Sequence, residues 1–498
     1  MRKFIRFKFW SSGTVKHSIT VLLAASCCLD LHAKQPNVVL ILADDLGYGD
    51  LGCFGSKKNK TPTLDKMANE GKKFLDFYVS SPVCSPSRAS LLTGCYPQRI
   101  SFGTFDGLRV LFPGQGIGLN TEEDTIAKIV KKSGYSTKII GKWHCGDQEE
   151  FLPTNHGFDS YFGIPYSNDM GIQKEIDDYY PEDSTLAKVT EWDRPPLPLI
   201  RDKEVIQEQP DQRSIAERYT EDAVRFIRNN QDKPFFLYLA HMQVHLPLYA
   251  AEKFVNESKN GDYGACVASI DWSTQVIFDE LKELGIDENT IVIFTSDNGS
   301  RLQNQGGSNG DLRGRKGQTW EGGQRVPCII RWPGNVEAGS VCNEIATTMD
   351  FLPSITKLIG GELPVKKIDG IEMSDLFFSN AISSKRDIFF YYNEDNLEAI
   401  RYKNWKLHIK KEGDNVNELY NLEKDIGESN NLFNENKNLV NQLLSYIDSF
   451  RKELGDKSLS IVGNEVRPPG RKNNPKPLTS FDDNHPYMYA EYDKGERG

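Results

Sequence analysis

The chain has 498 residues, 38% of them hydrophobic and 26% charged, with a formal net charge of −10. That balance excludes a disordered chain, a collagen and a polytopic membrane protein, and the acidic excess argues against a nucleic-acid partner. An anionic small ligand stays open, because charge inside a pocket can oppose net charge.

Residues 1–33 read as an export signal. Arg2, Lys3, Arg6, Lys8 and Lys16 precede the apolar run Ile19–Ala25, and Leu31-His32-Ala33 resembles a cleavage site. The run falls short of the roughly 20 residues that span a bilayer. A mature chain without a transmembrane helix, in the periplasm or secreted, is therefore expected, with lipoprotein anchoring through Cys27 or Cys28 as the alternative. Seven cysteines remain beyond the signal, none in a CxxC pair. An odd count in an exported chain leaves one cysteine to explain.

Four short apolar runs each end in polar groups. Val38–Ala43 leads into Asp44-Asp45, Ile139-Ile140 into Gly141-Lys142-Trp143-His144, Phe235–Ala240 into His241 and then His245, and Ile291–Thr295 into Asp297-Asn298. Such runs alternating with helical patterns predict an α/β fold with a largely parallel sheet. At the carboxyl ends of its strands such a sheet places ligands, so the four endings are expected to meet at one edge. Helices are predicted from Thr61-Pro62 to Gly71, and over 121–132, 215–229 and 265–284. Residues 172–213 read as a long insertion over the sheet edge. From 361 the pattern changes to short strands (388–392, 398–402 and 405–409) and a helix over about 435–454. The expected organisation is a signal (1–33), a catalytic domain (34–360), a smaller C-terminal domain of antiparallel sheet plus helix (361–460) and a tail (461–498) that wraps the surface or is mobile.

The most specific feature is Cys84-Ser85-Pro86-Ser87-Arg88-Ala89-Ser90-Leu91-Leu92-Thr93-Gly94. It resembles the nucleophile motif of the type I sulfatases, in the arylsulfatase A-like branch of the alkaline-phosphatase superfamily. Gly141-Lys142-Trp143-His144, the Gly163–Gly171 segment, Lys316–Gly323 and Leu419–Asp425 resemble further family segments, so the likeness spans roughly 36–435. It implies an alkaline-phosphatase-like sheet between helices with a smaller C-terminal α+β domain. It also implies that Cys84 is oxidised to formylglycine (3-oxoalanine) by a formylglycine-generating or sulfatase-maturating enzyme, and that a hydroxyl of the hydrated aldehyde attacks sulfur.

Asp44, Asp45, Asp297 and Asn298 offer hard oxygen donors, which suit Ca²⁺ or Mg²⁺ rather than zinc. The resemblance implies one ion, usually Ca²⁺, held by these four and residue 84. Arg88, Lys142 and Lys316 would oppose the charge of a sulfate ester. His144 is the expected proton acceptor at residue 84, His245 the expected general acid, with Lys316 competing, and Ser167 a further contact. His241 is expected in the core or supporting a neighbour, and His156 and His408 are expected to be structural. The function these residues imply is hydrolysis of sulfate monoesters on a sulfated carbohydrate, such as carrageenan, ulvan or a glycosaminoglycan. A phosphonate or phosphodiester hydrolase, or a catalytically silent binder of sulfated glycans, are the alternatives.

Overall fold

The computed structural model describes residues 35–172, 195–302, 305–381, 383–482 and 484–485. The expected signal, most of the insertion and the end of the tail lie outside the described residues. Among those described, no helix is long and apolar enough to cross a membrane.

Ten strands form the main sheet: β1 (Asn37–Ala43), β2 (Lys72–Phe74), β3 (Ser136–Gly141), β4 (Ser160–Gly163), β5 (Pro198–Arg201), β6 (Glu204–Glu208), β7 (Phe235–Ala240), β8 (Thr290–Ser296), β9 (Cys328–Arg331) and β10 (Ser340–Cys342). Their order is β10-β2-β9-β8-β1-β7-β3-β4-β5-β6. The central strands β8, β1, β7, β3 and β4 run parallel. β8, β1 and β7 are buried on both faces, which is why they read as near-continuous apolar runs. In β1, Val38, Leu40 and Leu42 enter one hydrophobic core, and Val39, Ile41 and Ala43 enter the core on the opposite face.

Helices cover both faces: α1 (Pro62–Glu70), α2 (Cys84–Thr93), α3 (Ile126–Lys132), α4 (Ile215–Asn229), α5 (Glu252–Glu257) and α6 (Gly261–Glu283). α1 opens at Thr61-Pro62 as expected, although the Thr61 hydroxyl makes no capping bond and instead accepts the Gly52 N–H and donates to Asp65. Two other helices differ from expectation. The helix predicted from 121 begins at Ile126, because the Thr125 side chain accepts the Lys128 N–H and fixes the start there. The helix predicted from 265 begins four residues earlier, passing through Gly264, which sits close against Ser258 and Asn260.

The C-terminal sheet has four antiparallel strands: β11 (Ile388–Asn393), β12 (Asn396–Tyr402), β13 (Trp405–Lys411) and β14 (Asp414–Asn421). Three were expected. The helix α7 (Lys437–Leu454) buries Val440, Leu443 and Ile447 against this sheet. The described end of the insertion forms the hairpin β5–β6 at the sheet edge. The tail wraps. Gly470–Arg471 pairs with Ile117–Gly118, Arg467 holds Glu123 at 2.7 Å, and the Gln148 side chain bonds the backbone of Lys476.

Candidate active site

Because β8, β1, β7 and β3 are neighbours in register, Asp297-Asn298, Asp44-Asp45, His241 and Lys142 emerge side by side. Gly141 is needed at the end of β3. Its φ is +108°, and a Cβ there would lie 1.8 Å from the Ala240 carbonyl oxygen. Cys84 opens α2, all ten residues of which are buried, and Gly94 closes it in the left-handed conformation at φ +67°.

Three carboxylates and three cations interlock here. Arg88 donates to Asp297 through Nε at 2.9 Å, with Nη2 ion-paired to the same carboxylate at 2.8 Å, and donates through Nη1 to the Lys142 carbonyl at 2.8 Å. Lys142 Nζ bonds Asp44 and the Ser167 hydroxyl, the latter at 3.1 Å. Lys316 Nζ lies 2.7 Å from Asp45, whose carboxylate also accepts from the Asn298 amide at 2.7 Å. Burial alone would raise the Asp45 pKa, but Lys316 and His245 more than offset it and hold the carboxyl well below its usual range. Burial would lower Arg88, Lys142 and Lys316, and the facing carboxylates instead raise all three. Asp297 is pushed up by burial and by Asp44. Burial likewise raises the Cys84 thiol, against Lys142 and Lys316.

The histidines divide by their hydrogen bonds. His144 Nε2 faces the Leu111 carbonyl at 3.0 Å, so that nitrogen carries the proton. Nδ1 is then a bare acceptor, buried and without a partner among the described residues. Burial and Lys142 keep His144 neutral, far below its ordinary pKa. His245 Nδ1 donates to the Leu246 carbonyl, while Nε2 lies 3.3 Å from Ser167 Oγ and 3.8 Å from Asp45. Burial and then Lys316 lower its pKa to about 4. His241 is fully buried with neither ring nitrogen hydrogen-bonded, lowered by burial to about 4.

The donor set fits a hard divalent cation. Asp44 Oδ1 and Asn298 Oδ1 are buried oxygens with no hydrogen-bond partner among the described residues, a costly state unless a ligand takes them up. Asp44, Asp297 and Cys84 each bring a ligand atom to within 4.8 Å of the others.

The sequence gives no warning of what holds the Lys316 segment. Its backbone bonds Ser300 and, through Gly317, the Pro82 carbonyl two residues before Cys84. Glu321 then enters a buried cluster with Lys406, Glu428, Tyr78 and Tyr391. His408, expected to be structural, donates to Glu428 at 2.6 Å and packs on Trp320. Leu111 is also unanticipated. Its N–H reaches Ser85 Oγ and its carbonyl orients His144.

A mostly parallel sheet between helices, with a buried helix opened by Cys84 and polar groups closing its central strands, has the alkaline-phosphatase-like architecture, and comparison with known proteins narrows the class. Residues 36–361 match the sulfatase family model, and residues 315–453 match N-sulphoglucosamine sulphohydrolase, C-terminal. The chain belongs to the sulfatase family and is a sulfuric ester hydrolase. It is 36% identical to human arylsulfatase A over 445 residues, 83% of this chain and 86% of that protein. The PsFucS1 sulfatase from Pseudoalteromonas sp. superposes with a TM-score of 0.75 at 28% identity, covering 84% of this chain and 90% of that one. Ps i-CgsB in complex with k-i-k-neocarrahexaose superposes at 0.73 and 29%, covering 86% and 95%.

Proposed function

We propose that this sulfatase removes sulfate from a sulfated polysaccharide or oligosaccharide outside the cytoplasm, using a Cys84 oxidised to formylglycine. The observation that carries this reading is the placement of Cys84 at the start of a buried helix, with its ligand atom beside those of Asp44 and Asp297. The solved likeness bound to neocarrahexaose supports the carbohydrate class. Ca²⁺, or Mg²⁺ in its place, would be held by Asp44, Asp45, Asp297, Asn298 and residue 84. When present, formylglycine supplies an oxygen nucleophile for sulfur and the cation neutralises sulfate oxygens.

The remaining work falls to side chains already in place. Arg88, Lys142 and Lys316 oppose the negative charge of the ester, and they are rigid because each is already tied to a carboxylate. Ser167 bridges Lys142 and His245 and so orients both. His144 takes a proton at Nδ1 from the side chain of residue 84, since Nε2 is committed to Leu111. His245 delivers a proton to the leaving alcohol oxygen. It is neutral in the free chain near pH 7, so the charge of the bound ester must raise its pKa before it can act as an acid.

Mass spectrometry of the peptide containing Cys84 tests the first part. Oxidation lowers its mass by about 18 Da, and an active preparation retaining the free thiol would overturn the mechanism. Sulfate release from purified carrageenan, ulvan and glycosaminoglycans tests the second. Faster turnover of an aryl phosphodiester than of any sulfate ester would favour the phosphodiesterase alternative.

A further inference from the structure

Away from the catalytic residues, a groove of about 310 Å³ opens between the segment leading into α1 and the helices α5 and α6. Its aromatic floor is Trp272 and Phe254, with ring centroids 5.8 Å apart. Lys253 lies over the indole at 4.2 Å and is itself paired with Glu217. The indole N–H donates to no group among the described residues.

Around the rim stand Lys58, Lys60 and Lys259, all exposed, with no ion pair among the described residues. Two acids also line the groove. Asp271 is spent on the backbone N–H groups of Thr63 and Leu64, at 3.1 and 2.8 Å, which leaves Glu257 as the one free carboxylate. Asp271 keeps its charge, so three unpaired ammonium groups face two carboxylates and leave one positive charge in excess at the groove, on a chain of net charge −10. The basic run Lys57-Lys58-Asn59-Lys60 takes no part in the sulfatase chemistry described above.

An apolar aromatic floor beneath a cationic rim suits one ligand chemistry in particular. The C–H face of a pyranose gains dispersion contacts on an indole, and sulfate oxygens accept charge-assisted bonds from ammonium groups. We propose that this groove is an accessory, non-catalytic binding site for a sulfated sugar unit of the polymer that the enzyme desulfates. The inference rests on the proposed glycan substrate. The groove is also wired to the loop leaving the active site. Asn59 donates to the Asp50 carbonyl at 3.0 Å, and the Asp50 carboxylate accepts from Gly47, two residues past Asp45. A polymer held here presents its other esters to Cys84 at raised effective concentration.

The test compares the wild-type chain with Trp272→Ala, Trp272→Phe and the double variant Lys58→Glu/Lys60→Glu. Retention is read by affinity electrophoresis in carrageenan, heparin and their desulfated forms, and turnover is read on polymer and on nitrophenyl sulfate. Expected is a fall of about tenfold in retention for Trp272→Ala and the double variant. KM for polymer should rise in parallel with kcat unchanged. Trp272→Phe should retain most binding, and nitrophenyl sulfate turnover should be untouched in all. Variants that bind and desulfate polymer like wild type would overturn the groove and leave the substrate reading standing. Equal retention by desulfated polymer, or tighter binding of oligothymidylate, would overturn the sulfated-sugar assignment. A wild type that turns over nitrophenyl sulfate but neither desulfates nor binds any of the glycans would overturn the substrate reading, and the groove with it.

Discussion

Two buried ionic clusters lie in this molecule, and they are completed to different degrees. Beneath the C-terminal sheet, every oxygen of two carboxylates has a donor. Glu321 accepts from Lys406, Tyr391 and Tyr78, and Glu428 accepts from Lys406, His408 and the Glu321 N–H. At the strand edge, Asp44 Oδ1, Asn298 Oδ1 and His144 Nδ1 have none. A cluster whose carboxylate oxygens are all satisfied, with His408 Nδ1 left bare among the described residues, serves chiefly to fix geometry, here that of the Lys316 segment. An unsaturated one sustains a desolvation cost that only a bound ion, substrate or proton relieves.

The sharpest way to break that contrast is Cys84→Ala. It removes the residue whose ligand atom lies beside those of Asp44 and Asp297 and should lower kcat/KM on nitrophenyl sulfate by about 10⁴-fold or more. Activity within tenfold of wild type would show the open cluster working without it. Next is Lys406→Met in the C-terminal cluster, which takes the shared ammonium from two buried carboxylates and leaves Glu321 with Arg325 at 3.4 Å, and should cost about 3–5 kcal/mol in urea unfolding. An unchanged midpoint would mean that the cluster does not hold the Lys316–Glu321 segment to the C-terminal sheet.

His245→Ala should cost roughly 10²–10⁴-fold on a sugar sulfate and much less on nitrophenyl sulfate, whose leaving group scarcely needs a proton. The pH profile carries the same sign. With the free-chain pKa lowered to about 4, the protonated fraction falls as pH rises above that value, so kcat/KM on sugar sulfates should decline towards neutrality. Equal losses on both leaving groups would move the acid role to Lys316. Smallest is the metal's contribution to stability. Ca²⁺ at 100 times its Kd should raise unfolding stability by about 2.7 kcal/mol, and Asp297→Ala should abolish that increment. A chelated, elementally metal-free enzyme with full activity would contradict the assignment.

Much of the site was legible before folding because parallel strands buried on both faces leave an unmistakable apolar run, and the polar residues closing Val38–Ala43 and Ile291–Thr295 stand out against it. The Cys84–Gly94 segment was legible because a family motif is dense in fixed positions. Other parts carried no such mark. Strand β14 is mostly exposed along its first residues, so its burial pattern lacks the alternation that betrays a strand. Glu321, Lys406 and Glu428 are single charges on three separate elements, and only tertiary packing makes them one cluster. The start of α6 was hidden by two glycines that ordinarily argue against a helix.

The tail's hold on the 114–123 region has a consequence in time. Arg467 and Glu123 are 344 residues apart, and Gly470–Arg471 is the strand that pairs with Ile117–Gly118. A chain made from its amino end therefore lacks the clasp on the segment following Leu111 until its last stretch has been synthesised. In the folded chain Cys84 is 2% exposed, too little for another enzyme to reach its thiol. The proposed oxidation would therefore have to precede completion of the fold, and late synthesis of the tail is one interval in which the fold is incomplete.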